Sequence, residues 1–238
     1  VIPLGTVIGP AQLAVLATFG IAEVPVRRVP KISIVSTGNE LVDVKQTLKN
    51  GQIRESNRYM LAGMVKQESC KIVKMSMVPD TPETLKNEFE EALQADVALI
   101  SGGMSVGDKD FTKPLFFGRR GRTLVFGLPG NPASSYVLFE EFVRPTLRKL
   151  MGRRIVEKGM VKAKLDDDIL KTFKRLHFMR GQLYEKNGEK HVIPLDYQSS
   201  NSIGSLVEAN ALIRVEPNSP SIPKGCQVSV RPLQNEIG

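Results

Sequence analysis

From Val29 onward, short apolar runs alternate with segments whose apolar residues recur at helical spacing. KISIV (31–35) has the unbroken apolar character of a buried strand. SNRYMLAGMVKQE (56–68) predicts a helix capped by Ser56 or Asn57, with Met60, Leu61, Met64 and Val65 on one core-facing side. KIVKMSMV (71–78) is the next strand. TPETLKNEFEEALQA (81–95) opens with Thr81 as cap and Pro82 at the first helical position, and brings Leu85, Phe89 and Leu93 to one face. DVALI (96–100) and TLVFGL (123–128) are further strands, and NPASSYVLFEEFVRPTLRKLMG (131–152) is a long helix capped by Asn131. Strand and helix alternating at this interval predict an α/β fold, a parallel sheet flanked by helices and joined by right-handed crossovers.

After Gly152 the texture changes. Residues 175–195 form two alternating runs about a Lys-Asn-Gly-Glu turn, a hairpin pattern, and ALIRVEP (211–217) and QVSVRPL (227–233) add short strands with no long helix between them. The expected organisation is a remnant of an N-terminal domain and linker over 1–28, an α/β domain over 29–152, and a small barrel-like all-β domain over 153–238. Within the first segment, VIPLGTVIGPAQLAVLATFG is expected to form strand, turn and helix.

The bulk properties exclude several classes. No apolar run reaches the eighteen or so residues of a membrane span, and the opening apolar stretch lacks the basic start of a secretory signal. The two cysteines, Cys70 and Cys226, have no metal-ligand spacing and fit a reducing, cytoplasmic setting. A formal charge of +8 admits nucleic acid or an anionic small molecule. With 6% aromatic residues and no Trp for stacking, nucleic acid is the poorer fit.

In an open parallel sheet, ligands bind beyond the carboxyl ends of the strands, where loops and helix starts converge. Four loops occupy that edge: STGNE (36–40), VPDTP (78–82), SGGMSVGDKD (101–110) and GLPGNP (127–132). Glu40, Asp80, Asp108 and Asp110 supply carboxylates, and the glycine-rich loops offer backbone N–H groups to an anion. Each loop alone is an ordinary turn. Together they predict a crevice for a phosphate-bearing ligand, with Mg²⁺ bridging carboxylate and phosphate. His177 and His191 lack nucleophile or metal partners in sequence and are expected to be structural, as is the methionine pair of the 56–68 helix.

STGNEL, GQIRESNRYML, VPDTPETL, SGGMSVGDKDF and GLPGNPASS, in this order and spacing, resemble the molybdopterin molybdenumtransferases of the MoeA and gephyrin E-domain family. FMRG, QSSNS and EANALI are similar to the small C-terminal barrel of that family. The resemblance implies insertion of molybdate into adenylylated molybdopterin with release of AMP, a requirement for Mg²⁺, a homodimer, and molybdopterin adenylyltransferase and molybdoenzymes as partners. It implies that Asp110, Asp80 and Glu40 act in catalysis, with Asp110 and Asp80 on the metal. Gly102, Gly103, Ser105, Lys113, Pro129 and Pro132 would hold the pterin or its phosphates, and Arg180 and Ser200 of the barrel would handle substrate.

Three departures from the family pattern stand out. Asn39 occupies a position where the family commonly has Asp. Phe111 runs within two residues into KPLFFG, where the family carries a helix, a strand and a basic KPGKP-type segment. The family's N-terminal domains have no counterpart beyond 1–28. A binding or scaffold module without catalysis is the alternative from another class. A molybdopterin adenylyltransferase is a third, opposed by the second domain.

Overall fold

A computed structural model describes residues 2–102, 116–157, 159–170, 173–198 and 203–233. The chain divides into two compact units, Val1–Glu157 and Lys158–Gly238. The first contains α1 (Pro10–Thr18), β1 (Lys31–Thr37), the short β2 (Leu41–Val42) and β3 (Ile53–Arg54), α2 (Asn57–Gln67), β4 (Lys71–Val78), α3 (Pro82–Ala92), β5 (Val97–Gly102), β6 (Phe116–Arg120), β7 (Thr123–Leu128), α4 (Pro132–Leu138) and α5 (Arg144–Leu150). The second contains β8 (Val161–Leu165), β9 (His177–Lys186), β10 (Glu189–Pro194), α6 (Gly204–Glu208), β11 (Ala211–Val215) and β12 (Gln227–Pro232).

The main sheet runs in the order β4-β1-β5-β7-β6. β1, β4, β5 and β7 are parallel, and β6 returns antiparallel to β7. The expected parallel sheet is therefore present with one antiparallel edge, because a two-residue turn at Gly121 and Arg122 folds β6 directly onto β7. Every residue of β1 after Lys31 is buried, as a central strand covered on both faces requires. The step from β1 to β4 goes one way along the sheet and the step from β4 to β5 goes the other. Right-handed crossovers then put α2 and α3 on opposite faces. α3 packs Phe89, Ala92 and Leu93 against Val35, Ala98 and Val125.

The long helix expected from residue 131 is interrupted. Between α4 and α5 lies a π-helical turn, Phe139–Val143. Pro145, at the second position of α5, has no N–H to donate and its ring crowds the carbonyl four residues back, so the chain widens there instead of continuing as an α-helix. Beyond it, Arg144, Arg148 and Arg153 close on the fully buried Glu68 carboxylate at 2.5, 2.8 and 2.9 Å. Arg144 also binds Glu140 at 2.6 Å. This cluster fastens the end of α2 to α5.

The expected N-terminal strand does not form. Residues 2–9 run without regular structure into α1, and the Arg154 amide donates to the Gly5 carbonyl at 3.0 Å. Gly5 has φ +83 and lies against the backbone of Gly152 and Arg154, with no room for a Cβ.

In the second unit, β10-β8-β12-β11-β9 close into a barrel. Leu165, Met179, Val192, Ile213 and Val230 fill it. The hairpin turn falls at Asn187 and Gly188, with φ of 52 and 78, the two positive values a type I′ turn requires. β8 has no counterpart among the strands expected from the sequence, since its Val-Lys-Ala-Lys-Leu alternation is only five residues long and carries lysines on its outer face. His191 Nδ1 sits 3.0 Å from the Asp166 carboxylate and His177 stacks on Phe173 at 3.9 Å, so both histidines take part in packing.

Candidate functional site

The carboxyl ends of β1, β4, β5 and β7 lie side by side, and the loops that follow them form one edge. Backbone proximity sets its floor. Gly102 closes β5 with φ +90, and a Cβ there would stand 2.0 Å from the Thr37 carbonyl oxygen. Only glycine lets these two strand ends approach so closely. Gly130, in the loop after β7, lies in turn beside Gly102, its Cβ direction 3.8 Å from the Gly102 Cα.

Side-chain amides stitch the loops together. Asn57 Nδ2, at the start of α2, donates to Ser101 Oγ at 2.7 Å and to the Gly130 carbonyl at 2.8 Å. Ser101 Oγ donates onward to the Pro129 carbonyl at 3.2 Å. Asn131 Oδ1 accepts from the Ser134 amide at 3.1 Å, which caps α4 after Pro129 and directs Pro132 into its first turn. On the other side of β1, the Asp80 amide donates to Asn39 Oδ1 at 3.0 Å. Thr37 Oγ1 and Asn57 Oδ1 are buried with no hydrogen-bond partner among the described residues, so this edge holds two polar atoms that they leave unsatisfied.

Glu55 is the site residue that the sequence reading passed over. It is 2% exposed and accepts from Ser36 Oγ at 2.8 Å, from the Arg58 amide at 2.7 Å and from Arg58 Nε at 3.2 Å. Arg58 Nη2 reaches Asp43 at 3.0 Å. A carboxylate at the base of a helix start, tied to the end of β1, was detectable only as the acidic residue preceding the Ser-Asn cap in RESN.

The expected residues are distributed as follows. Glu40, Asp80, Gly102, Pro129 and Pro132 are on this edge. The Glu40 carboxylate is exposed and turns back over Gly38, and the Asp80 carboxylate is half-exposed. Neither has a hydrogen-bond or ion-pair partner among the described residues. Gly103, Ser105, Asp110, Lys113 and Ser200 lie outside the described residues, as does the junction at Phe111 to Lys113. Arg180 belongs to the barrel unit, where it is 4% exposed and Nη2 donates to the Tyr197 carbonyl at 3.0 Å. Burial pulls its guanidinium below the ordinary arginine range. Among the described residues no three acidic, cysteine or histidine side chains gather into a metal site. One or two carboxylates with waters and phosphate suffice for Mg²⁺, and the Glu40 and Asp80 carboxylates are not tied to other side chains among the described residues.

On the α3 side of the sheet lies a cavity of about 470 Å³, lined among others by Thr37, Gly102 and Gly127 and by Val35, Ile100 and Val125.

A sheet with polar loops at one edge, followed in the chain by a closed barrel, defines the class of fold, and the comparisons identify the family. Residues 33–120 match the family described as "Probable molybdopterin binding domain", and 162–233 match "MoeA C-terminal region (domain IV)". The chain belongs to the MoeA family, matching both modules in order. It is 31% identical over its whole length to a molybdopterin molybdenumtransferase of Haemophilus influenzae and 34% identical over 98% of its length to one of Nostoc. It spans 65% and 59% of those relatives' own lengths. Two crystal structures of a Pyrococcus horikoshii molybdopterin biosynthesis MoeA protein superpose with TM-scores of 0.80 and 0.76. Each shares 28% identity, covering 97% and 96% of this chain and 61% and 60% of theirs. No helix among the described residues is long and apolar enough to cross a membrane.

Proposed function

We propose that this chain carries the pterin-binding and barrel portions of a molybdenum-inserting transferase of molybdenum cofactor biosynthesis, acting on adenylylated molybdopterin and molybdate with release of AMP. The observation that carries the reading is the fastening of three loops around the Gly102 and Thr37 contact, with unsatisfied polar atoms beside it. Such a floor is rigid, and it leaves Thr37 Oγ1 and Asn57 Oδ1 to be satisfied by a ligand. The glycine-rich approach at Gly102 and Gly130 admits a pterin or phosphate close to the backbone, and Pro129 and Pro132 fix the opposite wall.

Glu40 and Asp80, with Asp110 from the loop after β5, are assigned the carboxylate chemistry. When bound, Mg²⁺ would neutralise the phosphoanhydride that is cleaved. Glu55 is positioned to hold Arg58 and the start of α2, not to touch substrate. Gly103, Ser105 and Lys113 are assigned to the ligand by resemblance, as are Arg180 and Ser200 of the barrel. The same resemblance supports a homodimer in the cytoplasm, handing intermediates between a molybdopterin adenylyltransferase and molybdoenzymes, with neither nucleic acid nor membrane as partner.

The test is release of AMP from adenylylated molybdopterin with Mg²⁺, with and without molybdate, by this chain and by a form extended with the relatives' remaining domains. Molybdate-stimulated release by the extended form supports the transferase. Tight binding without release in both forms replaces it with the binding-module reading. Full activity of Asp110→Asn in the extended form would remove Asp110 from the mechanism.

A further inference from the structure

Glu40 stands immediately before β2, and the local ladder that fixes its backbone is small. β2 and β3 are two residues each, joined by the bonds from the Ile53 amide to the Glu40 carbonyl and from the Glu55 amide to the Val42 carbonyl, both at 2.9 Å. Val42 is buried, whereas Ile53 and Arg54 are exposed. A parallel ladder this short, with the whole loop 43–52 between its strands, does not hold itself together.

One side chain closes it. Asp43 follows β2 directly and Glu55 follows β3 directly, so the two carboxylates leave the parallel strands at the same end. The Arg58 guanidinium, from the first turn of α2, spans them, with Nη2 3.0 Å from Asp43 Oδ2 and Nε 3.2 Å from Glu55 Oε2. Its side chain is 11% exposed, against 35% for that of Asp43. Glu55 is in turn pinned to the main sheet, accepting from Ser36 Oγ at 2.8 Å and from the Arg58 amide at 2.7 Å. Asp43 is pinned to its own loop, where its carboxylate accepts from the Lys45 amide and its amide donates to Gln46 Oε1, both at 3.2 Å.

We propose that Arg58 is a positioning residue for Glu40, clipping β2 to β3 through Asp43 and Glu55, a role that rests on the assignment of Glu40 to the carboxylate chemistry above. The Glu40 carboxylate has no partner of its own among the described residues, so its place is set from the backbone. The Leu41 amide donates to the Gly38 carbonyl at 3.3 Å on one side of it, and the Ile53 amide holds its carbonyl on the other. Without a cation between them, the Asp43 and Glu55 carboxylates would repel each other and open that end of the ladder. A lysine is no substitute, because a single ammonium lacks the planar fork that meets two carboxylates in fixed directions.

Amide hydrogen exchange of the 238-residue chain, followed residue by residue, tests the clip. Arg58→Gln should speed exchange at Ile53 and Glu55 about tenfold or more and leave β9 unchanged. Arg58→Lys should resemble Arg58→Gln, and Glu40→Gln should resemble the parent. Asp43→Ala, at the more exposed end of the clip, should act in the same direction and serves if Arg58→Gln does not fold, which thermal melts monitor. In the extended form, Arg58→Gln is expected to lower kcat for molybdate-stimulated AMP release at least about tenfold, with KM within about threefold, and to lower it no further once Glu40→Gln is present. A role in stability alone would instead add to the Glu40→Gln loss. Parental exchange at Ile53 and Glu55 in the Arg58 and Asp43 variants overturns the proposal whatever the activity, as does an undiminished further loss of kcat in the Glu40→Gln background. If the extended parent releases no AMP, the transferase reading fails by itself, and exchange alone decides whether Arg58 holds Glu40 in place.

Discussion

The backbone amide of Asp80 donates to the side-chain carbonyl of Asn39 at 3.0 Å, joining the loops after β4 and β1 across the edge of the sheet. An aspartate at position 39 would accept the same bond, so the departure from the family pattern removes a charge and retains the geometry. Asn39→Asp is therefore expected to melt within about 2 °C of the parent. Asn39→Ala should cost about 1 kcal/mol by urea titration. Equal loss in both variants would show that the amide, and not the acceptor, is what this position requires.

Gly102→Ala tests the floor. Its Cβ would meet the Thr37 carbonyl at 2.0 Å in a backbone region unfavourable to any side chain, and the obstacle is main chain. The variant is expected to lose at least about 3 kcal/mol or fail to accumulate in soluble form. Gly63, with open space around it in α2, is the control, and Gly63→Ala should be neutral or stabilising.

The Glu68 cluster predicts acid lability of the first unit. Burial alone would raise the Glu68 pKa, but hydrogen bonds from Arg148 and Arg144 outweigh it and hold the carboxyl below the ordinary glutamate range. A depressed native pKa gives stability that is present above the unfolded value, about 4.3, and lost as pH falls through the native one. Glu68→Gln should remove that acid transition and cost about 3–5 kcal/mol near neutral pH, because it leaves buried guanidiniums without their counter-charge. Chemical denaturation at pH 7 and below pH 4 checks both statements.

The two thiols should differ sharply in reactivity. Burial first, and the Glu68 charge second, raise the Cys70 thiol to about 11, whereas Cys226 is exposed. At pH 8 only about one Cys70 in a thousand is thiolate. Mass spectrometry after iodoacetamide is expected to show one adduct on the native protein, at Cys226, and two after denaturation. Rapid modification of Cys70 in the native state would contradict its burial.

The parallel strands were legible because a central strand such as β1 is apolar at nearly every position, and the hairpin at Asn187-Gly188 because its turn admits few other sequences. β8 was not, since Lys162 and Lys164 belong to its outer face and dilute a five-residue signal. The failed N-terminal strand has the opposite cause. Its apolar residues satisfy a strand pattern, but Gly5 is committed to a left-handed conformation against Arg154, a contact about 150 residues away in sequence. Among the site residues, Gly102 and Asn131 announce themselves through local backbone rules. Glu55 and Asn57 do not, because their partners at Ser36, Ser101 and Gly130 come from three other segments.

The π-helical turn before Pro145 takes up the extra residue within itself, and the helical segments on both sides keep a buried face, with Ala133 and Tyr136 before it and Arg144 and Arg148 after it. The run thus accommodates Pro145 without giving up the arginine contacts to Glu68.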